Sequence, residues 1–317
     1  MTIRIAVLDD YQDIARRFGD WHRLPDGVEL TVFTDHVDDP EALVARLAPF
    51  TVVCAMRERS PFPRAVLERL PELRLLVTTG MANASIDMAA ARELGVTVSG
   101  TGGAPAATAE LTWALILALL RRVPAEDRAV RAGGWQHTVG VDLAGRTLGI
   151  VGLGRLGSRV GRVGAAFGMT VLAWSANLTA ERAEREGARP VGREELLRAS
   201  DVVTLHLKLS DRTRGLIGRR ELELIGPDGY LVNTSRGPIV DEGALLDALT
   251  SGGIAGAALD VYATEPLPPD HPLRTAPNTV LTPHIGYGTQ DTYDIFFRET
   301  VADVLAFLGG APVRVLN

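Results

Sequence analysis

Short β-branched runs alternate with amphipathic stretches along the first hundred residues. Ile3–Leu8, Val28–Phe33, Thr51–Met56, Leu73–Thr78 and Val96–Ser99 predict strands, with helices predicted at Pro40–Leu47 and Pro63–Leu70 between them. Strands interleaved with helices build a parallel sheet, because each connection must cross back over a face that a helix then covers. The pattern breaks at Gly100-Thr101-Gly102-Gly103, a predicted hinge, and Ala106–Arg122, rich in helix formers, predicts one long helix. A polar, glycine-punctuated arm follows from Pro124 to Leu143. A second alternating series then begins, with strands at Thr147–Val151, Thr170–Trp174, Val202–Leu207, Tyr230–Asn233, Gly256–Asp260 and Thr279–Leu281. Its helices include Leu156–Phe167, Arg193–Arg198 and Glu242–Leu249. Six strands separated by helices predict a complete doubly wound nucleotide-binding domain, and Thr289–Leu308 predicts a terminal helix returning to the first domain. The expected fold class is α/β, with two doubly wound parallel-sheet domains.

Composition narrows the function. The 317 residues, 46% hydrophobic, are enough for two domains with real cores. A net charge of −6 argues against general affinity for nucleic acid or an anionic membrane, both of which are bound through clustered positive charge. The chain has one lysine, Lys208, between Leu207 and Leu209, a context that suits neither Schiff-base chemistry nor a phosphate-binding G-K-[ST] loop. The single cysteine, Cys54, lies in an apolar run and reads as a buried small hydrophobe; it permits no intramolecular disulfide. The N-terminus is a short apolar run stopped by Asp9 and Asp10, unlike a signal peptide. The longest apolar stretch, Leu111–Leu120, is half of the ~20 residues a membrane span needs. A soluble cytoplasmic enzyme is the expectation.

The segment Leu148–Gly157 carries the first specific chemistry. An apolar strand runs into Gly152-Leu153-Gly154-Arg155-Leu156-Gly157, a G-x-G-x-x-G, and then into a helix. Gly152 permits a tight turn, Gly154 lets backbone approach a pyrophosphate, and Gly157 lets the helix pack on its strand. The N–H groups and dipole of that helix then face the phosphates. The next strand usually ends in an acid that accepts hydrogen bonds from the adenosine ribose. Here it ends in Ser175-Ala176-Asn177. Serine does not repel a 2′-phosphate as a carboxylate would, yet no arginine stands at 176 or 177 to grip one. NAD and NADP both stay open, with Arg182 and Arg185 the nearest cations.

Three further residues lie at or just beyond predicted strand ends, where ligands bind in an open parallel sheet: Arg236, Glu265 and His284. Together they supply what reversible carbonyl reduction needs. A guanidinium holds a carboxylate in bidentate fashion and polarises the adjacent carbonyl. An imidazole gives a proton to the developing alkoxide, and a neighbouring carboxylate keeps the ring oriented. The other histidines, at 22, 36, 137, 206 and 271, show no metal-ligand spacing, so no metal site is expected.

From Gly80 to Gly286 the chain resembles the D-isomer-specific 2-hydroxyacid dehydrogenase family. The resemblance is carried by Ser85-Ile86-Asp87, Thr108-Ala109-Glu110-Leu111, Trp135, Gly145-Arg146-Thr147-Leu148-Gly149, the glycine loop, Asn233–Asp241, Ala258–Pro266 and Pro283-His284-Ile285-Gly286, in order and spacing. It implies a Rossmann-type cofactor domain, residues 101–289, inserted in a flavodoxin-like substrate domain, residues 1–100 plus 290–317, with domain closure excluding water. It also implies that Arg236 binds the substrate carboxylate and carbonyl, that His284 is the general acid/base and Glu265 its partner, and that Asp260 contacts the nicotinamide side of the cofactor. Thr108, Arg155, Leu156, Ser175, His206, Thr213, Thr234 and Gly286 would join the three glycines in the cofactor site. The backbone at Met81 and Ala82 would receive the substrate carboxylate. Ala82 and Ala84 depart from the family's usual Gly and Asp, which puts the shape of that loop in doubt. A homodimer through the Pro124–Leu143 arm and the preceding helix is the family expectation.

The expected function is hydride transfer between NAD(P)H and a small 2-keto acid such as glyoxylate, hydroxypyruvate or pyruvate. Glu265 speaks against formate, because formate dehydrogenases resemble this fold with glutamine in that place. Phosphite and phosphoglycerate are the alternative substrates, the latter disfavoured because Gly80–Asp87 carries no basic residue. Arg57, at a predicted strand end, either reaches the substrate or stays on the surface. The rival reading is a non-catalytic dinucleotide sensor of the co-repressor type, which can retain an Arg-Glu-His set.

Overall fold

The computed structural model describes residues 2–317. The chain divides into two compact units, Met1–Ala104 with Gly288–Asn317, and Pro105–Tyr287.

The first unit holds strands β1 (Ile3–Val7), β2 (Val28–Val32), β3 (Val52–Ala55), β4 (Leu75–Thr78) and β5 (Thr97–Gly100), all parallel, in the order β2-β1-β3-β4-β5. Strands β3 and β4 are buried at every position, as expected of parallel strands covered on both faces, whereas β2, at the sheet edge, has no fully buried residue. Asp39 and Asp87 cap the helices Pro40–Leu47 and Met88–Glu93 by accepting from the N–H groups of Ala42 and Ala90, donors that have no partner inside the helix. The terminal helix Gln290–Leu308, capped by Thr289, packs on β4 and β5. Beyond it the chain runs antiparallel to β5, the Leu316 N–H bonding the Val98 carbonyl, and so covers an edge that would otherwise be open to pairing.

The second unit begins with the helix Ala107–Leu120. Its sheet comprises β6 (Thr147–Val151), β7 (Thr170–Trp174), β8 (Arg189–Pro190), β9 (Val202–Leu205), β10 (Tyr230–Asn233), β11 (Gly256–Leu259) and β12 (Thr279–Leu281). All are parallel, in the order β12-β11-β10-β9-β6-β7-β8. The order reverses at β6, whose neighbours are β7 and β9, so the carboxyl ends of β6 and β9 form the crevice where an open sheet binds ligands. Leu148 and Ile150 of β6 are fully buried, each worth about 1.5–3 kcal/mol in transfer from water.

Two sequence expectations are corrected. The sheet has seven strands rather than six, since the two-residue β8 pairs with β7 at the edge and is too short to show a period. The polar, glycine-punctuated arm from Pro124 to Leu143 opens with a helix that the sequence reading does not mark. Val123–Arg131 is a helix, with Pro124 and Glu126 in its first turn and Arg128 and Arg131 in its last, charges that complement the helix dipole. None of its residues is buried, and Val123 and Val130 are exposed.

Candidate active site

The glycine loop leaves β6 and enters the helix Arg155–Ala166. Gly152 has φ +106°, and a Cβ there would stand 2.6 Å from the His206 carbonyl oxygen. A Cβ on Gly157 would stand 2.2 Å from the Gly152 oxygen. The protein's own packing demands both glycines. Gly154 differs: a Cβ there meets nothing within 4 Å. That open space lies at the N-terminus of a 12-residue helix, where N–H groups and the dipole favour phosphate, and the residues present fit a dinucleotide. Arg155 and Leu156 open the helix, Arg155 exposed.

The other expected cofactor residues of this unit gather on the same loops. Ser175, just past β7, accepts the Leu153 N–H at 3.0 Å, which ties the end of that strand to the glycine turn. His206, just past β9, bonds the Val151 carbonyl through its N–H, and its Nε2 lies 3.0 Å from the Thr204 hydroxyl. Burial pushes its pKa down to about 4, so the ring is neutral at physiological pH. Thr213 donates to the Lys208 carbonyl and accepts the Ser210 N–H, both at 2.8 Å, shaping the loop after β9. Thr234 is buried, its hydroxyl 2.8 Å from that of Thr112. Thr108 and Asp260 flank Gly286, where a Cβ would lie 3.1–3.3 Å from both side chains.

Arg236, Glu265 and His284 follow β10, β11 and β12. Asn233 holds the first of these turns: its amide nitrogen donates to the Arg236 carbonyl and its oxygen accepts from the Ser235 N–H, each at 3.0 Å. The Arg236 guanidinium donates to the Ser235 carbonyl at 2.7 Å. Glu265 accepts the Tyr262 N–H on Oε1 at 2.9 Å and faces His284 Nδ1 with Oε2 at 2.5 Å. Both side chains keep solvent access, 30% and 20% respectively, so the pair can be reached. Nε2 of His284 makes no hydrogen bond among the described residues. The Tyr287 ring stands edge-on to the imidazole, centroids 5.8 Å apart.

His284 has φ +53°, a left-handed conformation that costs a non-glycine residue about 1–3 kcal/mol. Four hydrogen bonds hold it. The Asp260 carboxylate accepts from the Ile285 and Gly286 N–H groups and the Thr282 hydroxyl at 2.6–2.9 Å, and the His284 N–H reaches the Thr282 carbonyl at 3.1 Å. Burial raises the pKa of Asp260, outweighing these bonds.

Arg57, Met81 and Ala82 belong to the first unit and form their own group at the carboxyl ends of β3 and β4. Arg57 has φ +53°; its backbone N–H meets the Thr79 hydroxyl at 2.9 Å and its guanidinium the Thr79 carbonyl at 3.0 Å. The guanidinium lies on Gly80, where a Cβ would stand 1.8 Å from Nη1. The buried Asn83 amide ties the Arg57 carbonyl to the Thr78 hydroxyl. Arg57 is thus fixed, and Met81 and Ala82 are exposed beside it.

Sequence reasoning missed Asn233 and Tyr262. Asn233 had a usable signal, an amide ending a buried strand just before a charged residue. Tyr262 had none, because the partners of its hydroxyl are backbone carbonyls.

Residues 113–286 match the family model described as D-isomer specific 2-hydroxyacid dehydrogenase, NAD binding domain. The chain is similar to a glyoxylate reductase of Aeropyrum pernix, 43% identical over 80% of this chain and 78% of that one. It is also similar to a hydroxypyruvate reductase of Blautia hydrogenotrophica, 32% identical over 99% and 100%. Among solved structures, a phosphoglycerate oxidoreductase from Vibrio cholerae superposes with a TM-score of 0.92 at 38% identity, covering 98% of this chain and 100% of that one.

Proposed function

The chain belongs to the D-isomer specific 2-hydroxyacid dehydrogenase family, and from that premise we propose that it reduces small 2-keto acids with NAD(P)H, using Arg236, Glu265 and His284. The observation that carries the assignment is the 2.5 Å approach of Glu265 to Nδ1 of His284 with Nε2 left uncommitted. Glu265 takes the Nδ1–H, so the exchangeable proton of the imidazolium sits on Nε2. Arg236 holds the substrate carboxylate and polarises the neighbouring carbonyl. When bound, the nicotinamide supplies hydride in reduction and accepts it in oxidation. Nε2 of His284 delivers the proton to the carbonyl oxygen as charge develops there, and Glu265 stabilises the imidazolium beforehand. In the reverse direction the same nitrogen removes the hydroxyl proton.

Gly152, Gly154, Gly157 and the helix they open hold the phosphates, with His206, Thr213, Thr234, Asp260 and Gly286 completing the cofactor set. The backbone of the exposed residues Met81 and Ala82 and the fixed guanidinium of Arg57 are assigned to the substrate. Relatives named glyoxylate reductase and hydroxypyruvate reductase support those two keto acids, and relatives named D-3-phosphoglycerate dehydrogenase support phosphohydroxypyruvate. A homodimer fits the arm that follows the long helix, since Trp135 and Val139 are 75% and 90% exposed, a poor use of apolar side chains in a monomer. A cytoplasmic setting accords with Cys54, a buried free thiol that burial holds far above the usual thiol range. No helix of the described residues is long and apolar enough to cross a membrane.

The test is a panel of glyoxylate, hydroxypyruvate, pyruvate and phosphohydroxypyruvate followed by NAD(P)H absorbance. His284→Ala and Arg236→Ala should each lose turnover by about 10²-fold or more with cofactor affinity kept. Unchanged turnover in either variant would remove that residue from the mechanism, and a chain that binds cofactor but neither reduces anything on the panel nor oxidises phosphite would favour the sensor reading.

A further inference from the structure

The buried Tyr262 stands where the ends of two strands meet. Its hydroxyl donates to the Thr282 carbonyl at 2.9 Å and lies 3.3 Å from the Leu259 carbonyl, bridging the ends of β11 and β12. The Thr282 carbonyl also accepts the His284 N–H, so the tyrosine hydroxyl and the histidine backbone share one acceptor. The Tyr262 N–H donates to Oε1 of Glu265, whose other oxygen faces His284. One residue therefore touches the histidine's turn through its side chain and the histidine's carboxylate partner through its backbone.

We infer that Tyr262 is a positioning residue for the proposed reaction, its hydroxyl fixing the left-handed turn that aims His284 while its backbone fixes Glu265. The inference rests on the catalytic roles proposed above. A hydrophobic core explains the ring but not the hydroxyl, since phenylalanine would fill the same niche without the cost of burying a polar group. Asp260, Glu265 and Arg274 are the charged groups around the phenol, and burial together with the two carboxylates keeps it protonated, and so a donor, across the working pH range. Loss of the hydroxyl leaves the Thr282 carbonyl with one donor fewer and frees a strained turn to relax, moving Nε2 from the carbonyl oxygen it serves.

The experiment compares wild type with Tyr262→Phe, Glu265→Gln and the double variant. Tyr262→Phe should lower kcat about tenfold with the KM for cofactor unchanged, because misplacement by a fraction of an ångström costs turnover and not dinucleotide binding. In the Glu265→Gln background the same change should cost less than about twofold, the non-additivity expected of groups acting through one imidazole. Proton NMR of protein labelled with 15N-histidine gives a readout independent of turnover. The deshielded Nδ1–H of His284, assigned by its loss in His284→Ala, should move upfield in Tyr262→Phe. An unchanged kcat with an unmoved resonance overturns the inference. So does an equal loss in both backgrounds with an unmoved resonance, which would make Tyr262 a packing residue only. If wild type reduces no 2-keto acid, the functional reading fails, and the resonance still decides whether Tyr262 sets the imidazole.

Discussion

Gly237 lies against Tyr262 so closely that a methyl group on Gly237 would stand 2.0 Å from both its carbonyl carbon and its oxygen. The turn carrying Arg236 is therefore locked onto the segment carrying Glu265. The obstacle is backbone, which cannot swing aside as a side chain could, so Gly237→Ala should force the two loops apart. We expect a loss of about 1–3 kcal/mol in stability, the usual range for overpacking, and a larger proportional fall in turnover, because the displaced loop carries Arg236. Thermal denaturation together with kcat and KM for the keto acid checks this. A variant with wild-type melting, kcat and KM would show that the loops are not coupled.

Ser175 decides the second prediction. It ends β7 where a carboxylate would meet the ribose of NAD, and its Oγ is already used to accept the Leu153 N–H. Replacing it by aspartate keeps an acceptor for that N–H and adds a negative charge. Ser175→Asp should weaken NADPH relative to NADH by at least about tenfold, ~1.4 kcal/mol, whichever cofactor the wild type prefers. Dissociation constants for the two cofactors measure it. An unaltered ratio would mean that the 2′ position of the ribose does not lie at the end of β7.

The legibility of this chain follows from where its information is local. Val52–Ala55 and Leu75–Thr78 announce themselves as buried parallel strands because every position is apolar or small. Arg189–Pro190 does not, since two residues carry no period, and Val123–Arg131, with a proline and four charged residues among its nine, reads as a polar arm as readily as a helix. At the site, Gly152 and Gly157 were readable because a tight turn and a close approach admit only glycine. Glu265 and His284 were readable as strand-end residues, but their 2.5 Å contact joins two loops and has no local mark. The hydroxyl bridge of Tyr262 is more hidden still, because every residue type has a carbonyl.

A pH dependence of stability is expected from the first unit. His36 sits between two carboxylates, Nδ1 at 2.7 Å from Asp9 and Nε2 at 2.9 Å from Asp38, and Ser60 completes the buried Asp9. The hydrogen bond to Asp9 raises the pKa of His36 above its ordinary 6.5, against the effect of burial. A group whose pKa is raised on folding binds its proton more tightly in the native state. Its contribution is thus fully present below pH 6.5 and is lost as the pH climbs through the raised value. The melting temperature should fall over that interval, and His36→Gln should flatten this part of the profile. An identical slope in the variant would show that other groups carry it.

The glycine loop gives the most direct check on the cofactor reading, because its first two glycines are required for different reasons. Gly152 has a left-handed backbone and no room for a Cβ, 2.6 Å from the His206 carbonyl. Gly152→Ala should destabilise the unit by more than the ~1 kcal/mol that an exposed glycine position forfeits, and it should weaken cofactor binding through the distorted loop. Gly154 has an ordinary extended backbone and open space where its Cβ would be. Nothing in the protein forbids a side chain there, so Gly154→Ala should melt at or slightly above the wild-type temperature. Its dinucleotide affinity should nevertheless drop by about tenfold or more, since the methyl group enters the space assigned to the pyrophosphate. Calorimetric melting and a fluorescence titration with NADH and NADPH separate the two phenotypes. If Gly154→Ala binds both dinucleotides as tightly as wild type, the pyrophosphate does not rest on this loop, and the assignment of Gly152, Gly154 and Gly157 as cofactor residues falls with it.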